Sequence, residues 1–240
     1  MKKLIIWDFD GVISDSEHLW VQAWCEVLKK DKGIILTNEQ ARDLLMGIAD
    51  KTRKARIEEK YNITLDETFM KHIGEREVFL GTNYMTTMPG VKKVMANPKF
   101  EKCIATGATK TQHAWKMTQF KWIYKYMKDT DFFTVDMVKV GKPAPDIFLL
   151  AAKTKGYAPK DCIVIGDGLS DFNAARAAGM DFIAFVGAEG NNTPEYRKKC
   201  EELGAIVVCA TMEEVNTAFN AWYAMKQQKA PKDNVVENKR

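Results

Sequence analysis

The sequence predicts an α/β fold, a parallel β-sheet covered by helices on both faces and interrupted once by a helical insertion. Three observations carry the prediction. Short, almost continuous apolar runs recur along the chain, segments of helical character lie between them, and residues 16–88 break the alternation. A strand buried on both faces has no polar side, so it reads as an unbroken apolar run, and parallel strands need a crossover between them. The chain has 240 residues, 46% of them hydrophobic. That suffices for one large domain, or a domain with an insertion, around a sizeable core.

Residues 3–8 ("KLIIWD") are the first expected strand. The others are 102–105 ("KCIA"), 161–165 ("DCIVI"), 181–185 ("DFIAF") and 205–208 ("AIVV"), with "DFFTV" at 131–135 as a shorter candidate. Helices are expected over 110–127, 145–155, 171–178, 194–203 and 212–226. Gly179 after "NAARAA" and Gly204 after "YRKKCEEL" stand where helix C-caps favour glycine. In the insertion, Trp20, Trp24, Val27 and Leu28 recur at i, i+4, i+7 and i+8, the stripe of an amphipathic helix. Leu44, Leu45, Ile48, Ile57 and Tyr61 continue the helical character, and no buried strand is expected there. "TMPGVKKVM" at 87–95 reads as a Pro-Gly turn followed by a new helix. The expected organisation is a core of 1–15 and 89–228, a helical cap of 16–88 and a polar tail, 229–240, that is mobile. The sequence shows no internal repeat.

Net charge is +4, with Lys and Glu mixed along the chain and no basic face or aromatic-basic ladder, so nothing supports nucleic-acid binding. The five cysteines, Cys25, Cys103, Cys162, Cys200 and Cys209, are widely spread and form no C-x-x-C pair, which fits a reduced compartment. The start "MKKLIIWDFD" is too short in apolar residues for a signal peptide or a membrane span. The expectation is a cytoplasmic protein with no membrane partner. No feature sets an oligomeric state.

Four polar clusters follow strand ends, where ligands bind in parallel α/β sheets. In "WDFDGV", Asp8 and Asp10 are two apart, so both side chains can project to one spot. Like charges that close ask for a cation, a shared proton, or both. In "IATGATK", the Thr106 hydroxyl and the Gly107 N–H can hold a phosphate oxygen. In "VGKPAPDIF", Lys142 supplies a cation. In "VIGDGLSDFNAARAAG", Asp167 ends a strand and Asp171 stands near a helix N-terminus, where capping alone would also explain an acid. Combined, Asp8, Asp10 and Asp167 offer hard oxygen ligands that suit Mg²⁺, or equally Mn²⁺, with abundance favouring Mg²⁺. Lys142 and Thr106 suit an anion. Asp8 would then attack a phosphoryl group, while Asp10 protonates the leaving alkoxide and later deprotonates water.

The ordered set "DFDGV" (8–12), "ATG" (105–107), "GKPAPD" (141–146) and "GDGLSD" (166–171) resembles the haloacid dehalogenase superfamily, in its phosphatase branch with a helical cap after the first strand. The resemblance spans about residues 3–222. It implies a Rossmann-like core with a mobile cap, Asp8 as nucleophile and Asp10 as general acid/base, and Thr106 and Lys142 on the phosphoryl group. It also implies Mg²⁺ on Asp8, the Asp10 carbonyl and Asp167, with Asp171 supporting the metal shell or Lys142. The nearest branch is similar to small sugar-phosphate phosphatases and β-phosphoglucomutase. The expected function is hydrolysis of a small phosphorylated metabolite, a sugar phosphate or sugar-acid phosphate, with phosphoglycolate and nucleoside monophosphates open.

Four rivals follow from the same resemblance. Dehalogenation and phosphonoacetaldehyde hydrolysis both belong to branches without the acid/base Asp present here as Asp10; the latter would also need a cap lysine, with Lys51 and Lys54 as candidates. A phosphomutase would place a basic residue shortly after the cap glycine and a His on the first cap helix. Here Ile48-Ala49-Asp50 follows Gly47, Lys51 arrives one position late, and His18 follows "SE". A non-catalytic binding protein would have lost Asp8 or Lys142. In the cap, Glu17 is either an acceptor for sugar hydroxyls or a hinge residue. Asp50, Lys51 and Arg53 are either a substrate loop or a solvated face, and Trp20 and Trp24 are cap core or a stacking platform.

Overall fold

The computed structural model describes residues 2–48, 50–188 and 191–228. The expected mobile tail, 229–240, lies outside the described residues. Six parallel strands form the main sheet: β1 (Leu4–Trp7), β4 (Glu101–Ala105), β5 (Phe132–Phe133), β6 (Cys162–Gly166), β7 (Asp181–Phe185) and β8 (Val207–Cys209). Their order is β5-β4-β1-β6-β7-β8. The chain starts in the centre, fills one side with β4 and β5, then crosses to β6 and continues outward. β1 is therefore flanked by the strands at which the winding reverses. Its register pairs Trp7 with Ile104 on one side and Ile165 on the other. The residues that follow these partners, Asp8, Ala105 and Gly166, thus emerge side by side.

The alternation of each strand divides the core in two. Leu4, Ile6, Cys103, Ala105, Val164 and Ala184 face α7 (Asp146–Lys155), α8 (Leu169–Ala177) and α9 (Pro194–Leu203). Ile5, Trp7, Ile104, Ile163, Ile165 and Phe185 face the opposite layer, which holds α5 (Val91–Met95) and α10 (Met212–Gln228) and receives Met117 of α6 (Lys110–Met117). Both faces are covered, which is why the strands carry almost no polar residue.

Between β2 (Ser14–Asp15) and β3 (Thr86–Thr87), a short antiparallel pair, lie α1 (Glu17–Lys32), α2 (Asn38–Leu45), α3 (Asp50–Tyr61) and α4 (Glu67–Tyr84). Among the described residues of 16–88 the one strand is the two-residue β3, which is not buried, in line with the expectation of no buried strand there. Trp24, Val27 and Leu28 of α1 bury against Leu45, Ile57, Phe69 and Ile73. Trp24 is fully buried and Trp20 nearly so, which assigns both to packing. Thr37 and Gln40 form a reciprocal cap at the start of α2, and the Asp66 side chain caps α4.

Three of the boundaries that differ from the sequence reading have a local cause. The helix expected over 110–127 ends at Met117 and resumes as a 3₁₀ turn, Lys121–Lys125. There the Thr118 hydroxyl donates to the Trp115 carbonyl at 2.7 Å, competing with the helical ladder. The strand expected at 205–208 starts at Val207, because the Ala205 N–H closes the preceding helix onto the Cys200 carbonyl at 3.0 Å. The candidate 131–135 shrinks to Phe132–Phe133, since 3₁₀ turns take Asp131 and Val135. No helix of the described residues is long and apolar enough to cross a membrane.

Leu28 sits fully buried in the cluster of the inserted helices. Leu28→Ala should lower stability by about 2–5 kcal/mol in urea denaturation. A loss below about 1 kcal/mol would mean that the four helices repack freely.

Candidate active site

The carboxyl ends of β1, β4 and β6 bring the four motif clusters together. Asp8 follows β1, its N–H donating to the Ile165 carbonyl at 2.9 Å. Thr106 follows β4, anchored by its N–H on Phe133 O at 2.9 Å. Asp167 follows β6, and Asp171 stands on the first turn of α8. Asp8, Asp167 and Asp171 are buried, with carboxylate oxygens within 4.8 Å of one another. Lys142 reaches in from the loop before α7. Its Nζ donates to Asp8 Oδ1 at 2.8 Å and to the Ala105 carbonyl at 2.9 Å, and pairs with Asp171 Oδ1 at 2.6 Å.

Close approach is built into the backbone. Gly11 has φ +73°, and a Cβ there would stand 2.1 Å from Asp167 Oδ2. A Cβ on Gly166 would stand 2.5 Å from that of Asp171. The first and fourth motif loops can touch only because Gly11 carries no side chain, and Asp171 can fold back on the start of its own motif only because Gly166 carries none.

Burial pushes the Asp8 carboxyl up to about 7, with the Asp171 charge adding to it and Lys142 opposing it. Burial, then the charges of Glu17, Asp8 and Asp171, raises Asp167 well above the carboxylate range. Burial would lower the Lys142 ammonium, but Asp171 and Asp8 outweigh it and raise it. Three carboxylates share one ammonium, which leaves negative charge that either protons or a cation must neutralise. Hard oxygen donors packed this closely fit a divalent cation such as Mg²⁺.

Asp10 lies apart from this trio. Lys116 Nζ donates to both its oxygens, at 2.7 and 2.6 Å, and Ser16 Oγ and Trp20 Nε1 donate to Oδ1 at 2.9 and 3.2 Å. Burial alone would raise this carboxyl; the Lys116 charge and the hydrogen bonds outweigh it and hold Asp10 below its usual value. The side chains of Asp8 and Asp10 therefore occupy different environments although they share a strand end. Of the four acids read as metal ligands, Asp10 contributes no side-chain oxygen to the cluster, which leaves its carbonyl as the available donor. Thr106 is buried, its Oγ1 accepting from the Ala108 N–H at 3.0 Å, and Gly107 is exposed beside it.

The helical group meets the site through Glu17. Its Oε1 accepts from the Gly47 N–H at 2.7 Å and from Arg53 at 2.7 Å. Arg53 also donates to the Leu45 carbonyl at 2.6 Å and to Asp50 at 3.0 Å. Arg53 is thus buried and not part of a solvated face, whereas Lys51 beside it is exposed. The Gly47 carbonyl in turn lies 3.3 Å from where a Cβ on Gly168 would stand, so this turn abuts the fourth motif. The alternative cap nucleophiles find no such place: Lys51 is exposed and Lys54 pairs with Glu58. His18 stands 3.5 Å from Asp15, outside the acidic cluster.

Three residues of the site went unread in the sequence. Lys116 is one lysine among many on a helix. Asn191 donates to Asp167 Oδ2 at 3.2 Å, and the Tyr196 hydroxyl donates to the Asp167 carbonyl at 2.6 Å. Neither lies in a recognisable motif, and both reach Asp167 from the loop and helix after β7.

Comparison with known proteins bears on this geometry. The family described as haloacid dehalogenase-like hydrolase matches residues 2–179. A phosphatase of phosphorylated carbohydrates from Thermotoga maritima is 27% identical over 215 residues, 88% of this chain and 96% of that protein. A β-phosphoglucomutase from Bacillus subtilis is 27% identical over 190 residues, 74% of this chain and 80% of that protein. Among solved structures, a haloacid dehalogenase-like protein from Agrobacterium tumefaciens superposes with a TM-score of 0.81 over 93% of this chain and 100% of its own, at 24% identity, which bears on the fold alone.

The raised Asp8 and Asp167 carboxyls have a measurable consequence. The folded state holds these protons more tightly than the unfolded chain, so their contribution is fully present below about pH 4; that of Asp8 is lost as pH rises through about 7, and that of Asp167 is likewise lost as pH rises. A divalent cation bound there would replace those protons. Added Mg²⁺ should raise the melting temperature clearly at pH 8 and far less at pH 5, where protons compete. Equal gains at both pH values in a thermal melt would refute metal binding at this cluster.

Proposed function

The chain belongs to the haloacid dehalogenase-like hydrolase family, and on that premise we propose that it is a Mg²⁺-dependent phosphatase of a small phosphorylated metabolite, a sugar phosphate or sugar-acid phosphate. The observation that carries the reading is the Asp8 carboxylate, held at Oδ1 by Lys142 inside a cluster of buried acids at the switch point of a parallel sheet. The name of the Thermotoga maritima relative supports a phosphorylated carbohydrate as the substrate class.

The chemistry follows from the two acids. Asp8 Oδ2 attacks phosphorus, the bond to the leaving oxygen breaks, and an aspartyl-phosphate forms. Asp10, which Lys116 holds as a carboxylate in the free protein, takes up a proton with the substrate and gives it to the leaving alkoxide, then takes one from the water that attacks the same phosphorus and frees Asp8. Lys142 neutralises the charge that gathers on the phosphoryl oxygens, and Thr106 Oγ1 with the Gly107 N–H orients them. Asp8, Asp167, Asp171 and the Asp10 carbonyl would hold the Mg²⁺, which when bound adds further charge neutralisation. Glu17 holds the Gly47 turn over the mouth, the inserted helices 16–88 serving as the cap.

A mutase needs a cap cation free to grip a second phosphate. The Arg53 guanidinium is already committed to Glu17, Asp50 and the Leu45 carbonyl, which supports hydrolysis over transfer.

Phosphate release from a panel of phosphorylated metabolites with Mg²⁺ tests the reading. Wild-type protein should release phosphate from one or a few sugar phosphates, and Asp8→Asn or chelation should abolish release. Full activity of Asp8→Asn would refute the aspartyl-phosphate route. Lys142→Ala should lower kcat/KM by about 10³-fold or more, and a loss under tenfold would show that its charge is not used.

A further inference from the structure

We infer that Lys116, which lies outside all four motifs, is the positioning residue of the acid/base Asp10. The inference rests on the phosphatase reading above. Lys116 is 7% exposed. Burying an ammonium is costly unless it is paired and hydrogen-bonded. Its ion-pair partner is Asp10, bound through both oxygens at 2.7 and 2.6 Å. The ammonium also lies over the Trp20 ring, 4.9 Å from its centroid, and 5.9 Å from that of Phe9. The pair is thus walled by the residue before Asp10 and by the first inserted helix.

The bonds are unequally divided between the two oxygens. Asp10 Oδ1 accepts from Ser16, Trp20 and Lys116, which uses its acceptor capacity. Oδ2 accepts from Lys116 alone. Oδ2 is therefore the oxygen left to carry the proton that Asp10 transfers. Ser16 and Trp20 both hold Oδ1, so neither fixes the rotation of the carboxyl about it. Lys116, gripping both oxygens, does. Without it, Oδ2 would lose the contact that sets its direction.

A general acid matters in proportion to how poor the leaving group is. An alkoxide leaving from a sugar phosphate needs the proton, whereas p-nitrophenolate leaves nearly unaided. The loss caused by removing Lys116 should therefore depend on the leaving group. Kinetics of wild type, Lys116→Met and Lys116→Gln would be measured on the best sugar phosphate of the panel and on p-nitrophenyl phosphate, with Asp8→Asn as the blank. Each Lys116 variant should lose about 10- to 100-fold in kcat on the sugar phosphate, with KM little changed, and less than about threefold on p-nitrophenyl phosphate. In an Asp10→Asn background the Lys116 substitution should add no further loss.

Equal losses on both esters, or full additivity with Asp10→Asn, would overturn the inference and leave Lys116 a packing residue. Should Lys116→Met fail to fold, Lys116→Gln, which keeps part of the stem and an N–H donor group without the charge, decides by the same ratio. Absence of wild-type hydrolysis of either ester would instead refute the phosphatase reading, and the inference with it.

Discussion

The structure is organised around an electrostatic conflict. Asp8, Asp167 and Asp171 place three buried carboxylates within 4.8 Å, with the Lys142 ammonium between Asp8 and Asp171. Such a cluster is unfavourable in isolation, because each charge opposes the ionisation of the others and burial opposes all of them. A fold keeps it only where the backbone gives the acids no alternative. Here the ends of β1 and β6 deliver Asp8 and Asp167, α8 delivers Asp171, Gly11 clears the space for Asp167, and Gly166 clears that for Asp171.

The apolar core supplies the rigidity this needs. β1 is hydrogen-bonded on both sides and buried on both faces, with Leu4, Ile5, Ile6 and Trp7 each 1% exposed or less. An acid at the end of such a strand has little freedom to move away from its neighbours. The positions of the charges are therefore set by packing that carries no charge itself. The same principle acts at Asp10, where a buried Lys116 and the indole of Trp20 set one carboxylate into an environment unlike that of Asp8 two residues away.

The inserted helices add a second layer of control. Their own cluster, centred on Trp24, Leu28, Ile57 and Phe69, makes them a packed unit. Glu17 and Arg53 then tie the Gly47 turn into that unit, and the turn abuts Gly168 in the fourth motif. Trp20 belongs to both worlds: it rises from α1, packs in the layer shared with the sheet, and donates to Asp10. Any displacement of these helices would be felt at Asp10 through that bond.

Much of this was legible in the chain. Strands buried on both faces announce themselves as apolar runs, so β1, β4, β6 and β7 were read within a residue or two, and the four motifs followed from the polar residues at their ends. The helix read over 194–203 keeps those limits as α9, with Gly204 marking its end. What the sequence alone determined is whatever depends on short-range pattern: strand identity, helix caps, and which acids stand at strand ends. Only the tertiary structure decided which lysine meets which acid. Lys116 is separated from Asp10 by 106 residues, Asn191 from Asp167 by 24, and Arg53 from Glu17 by 36. In the chain a lysine on a helix reads as a solvated charge, and nothing local says that its helix will press it against Trp20 and Phe9. Long-range pairing is set by how the layers pack, and packing leaves no periodic trace in the residues that it brings together.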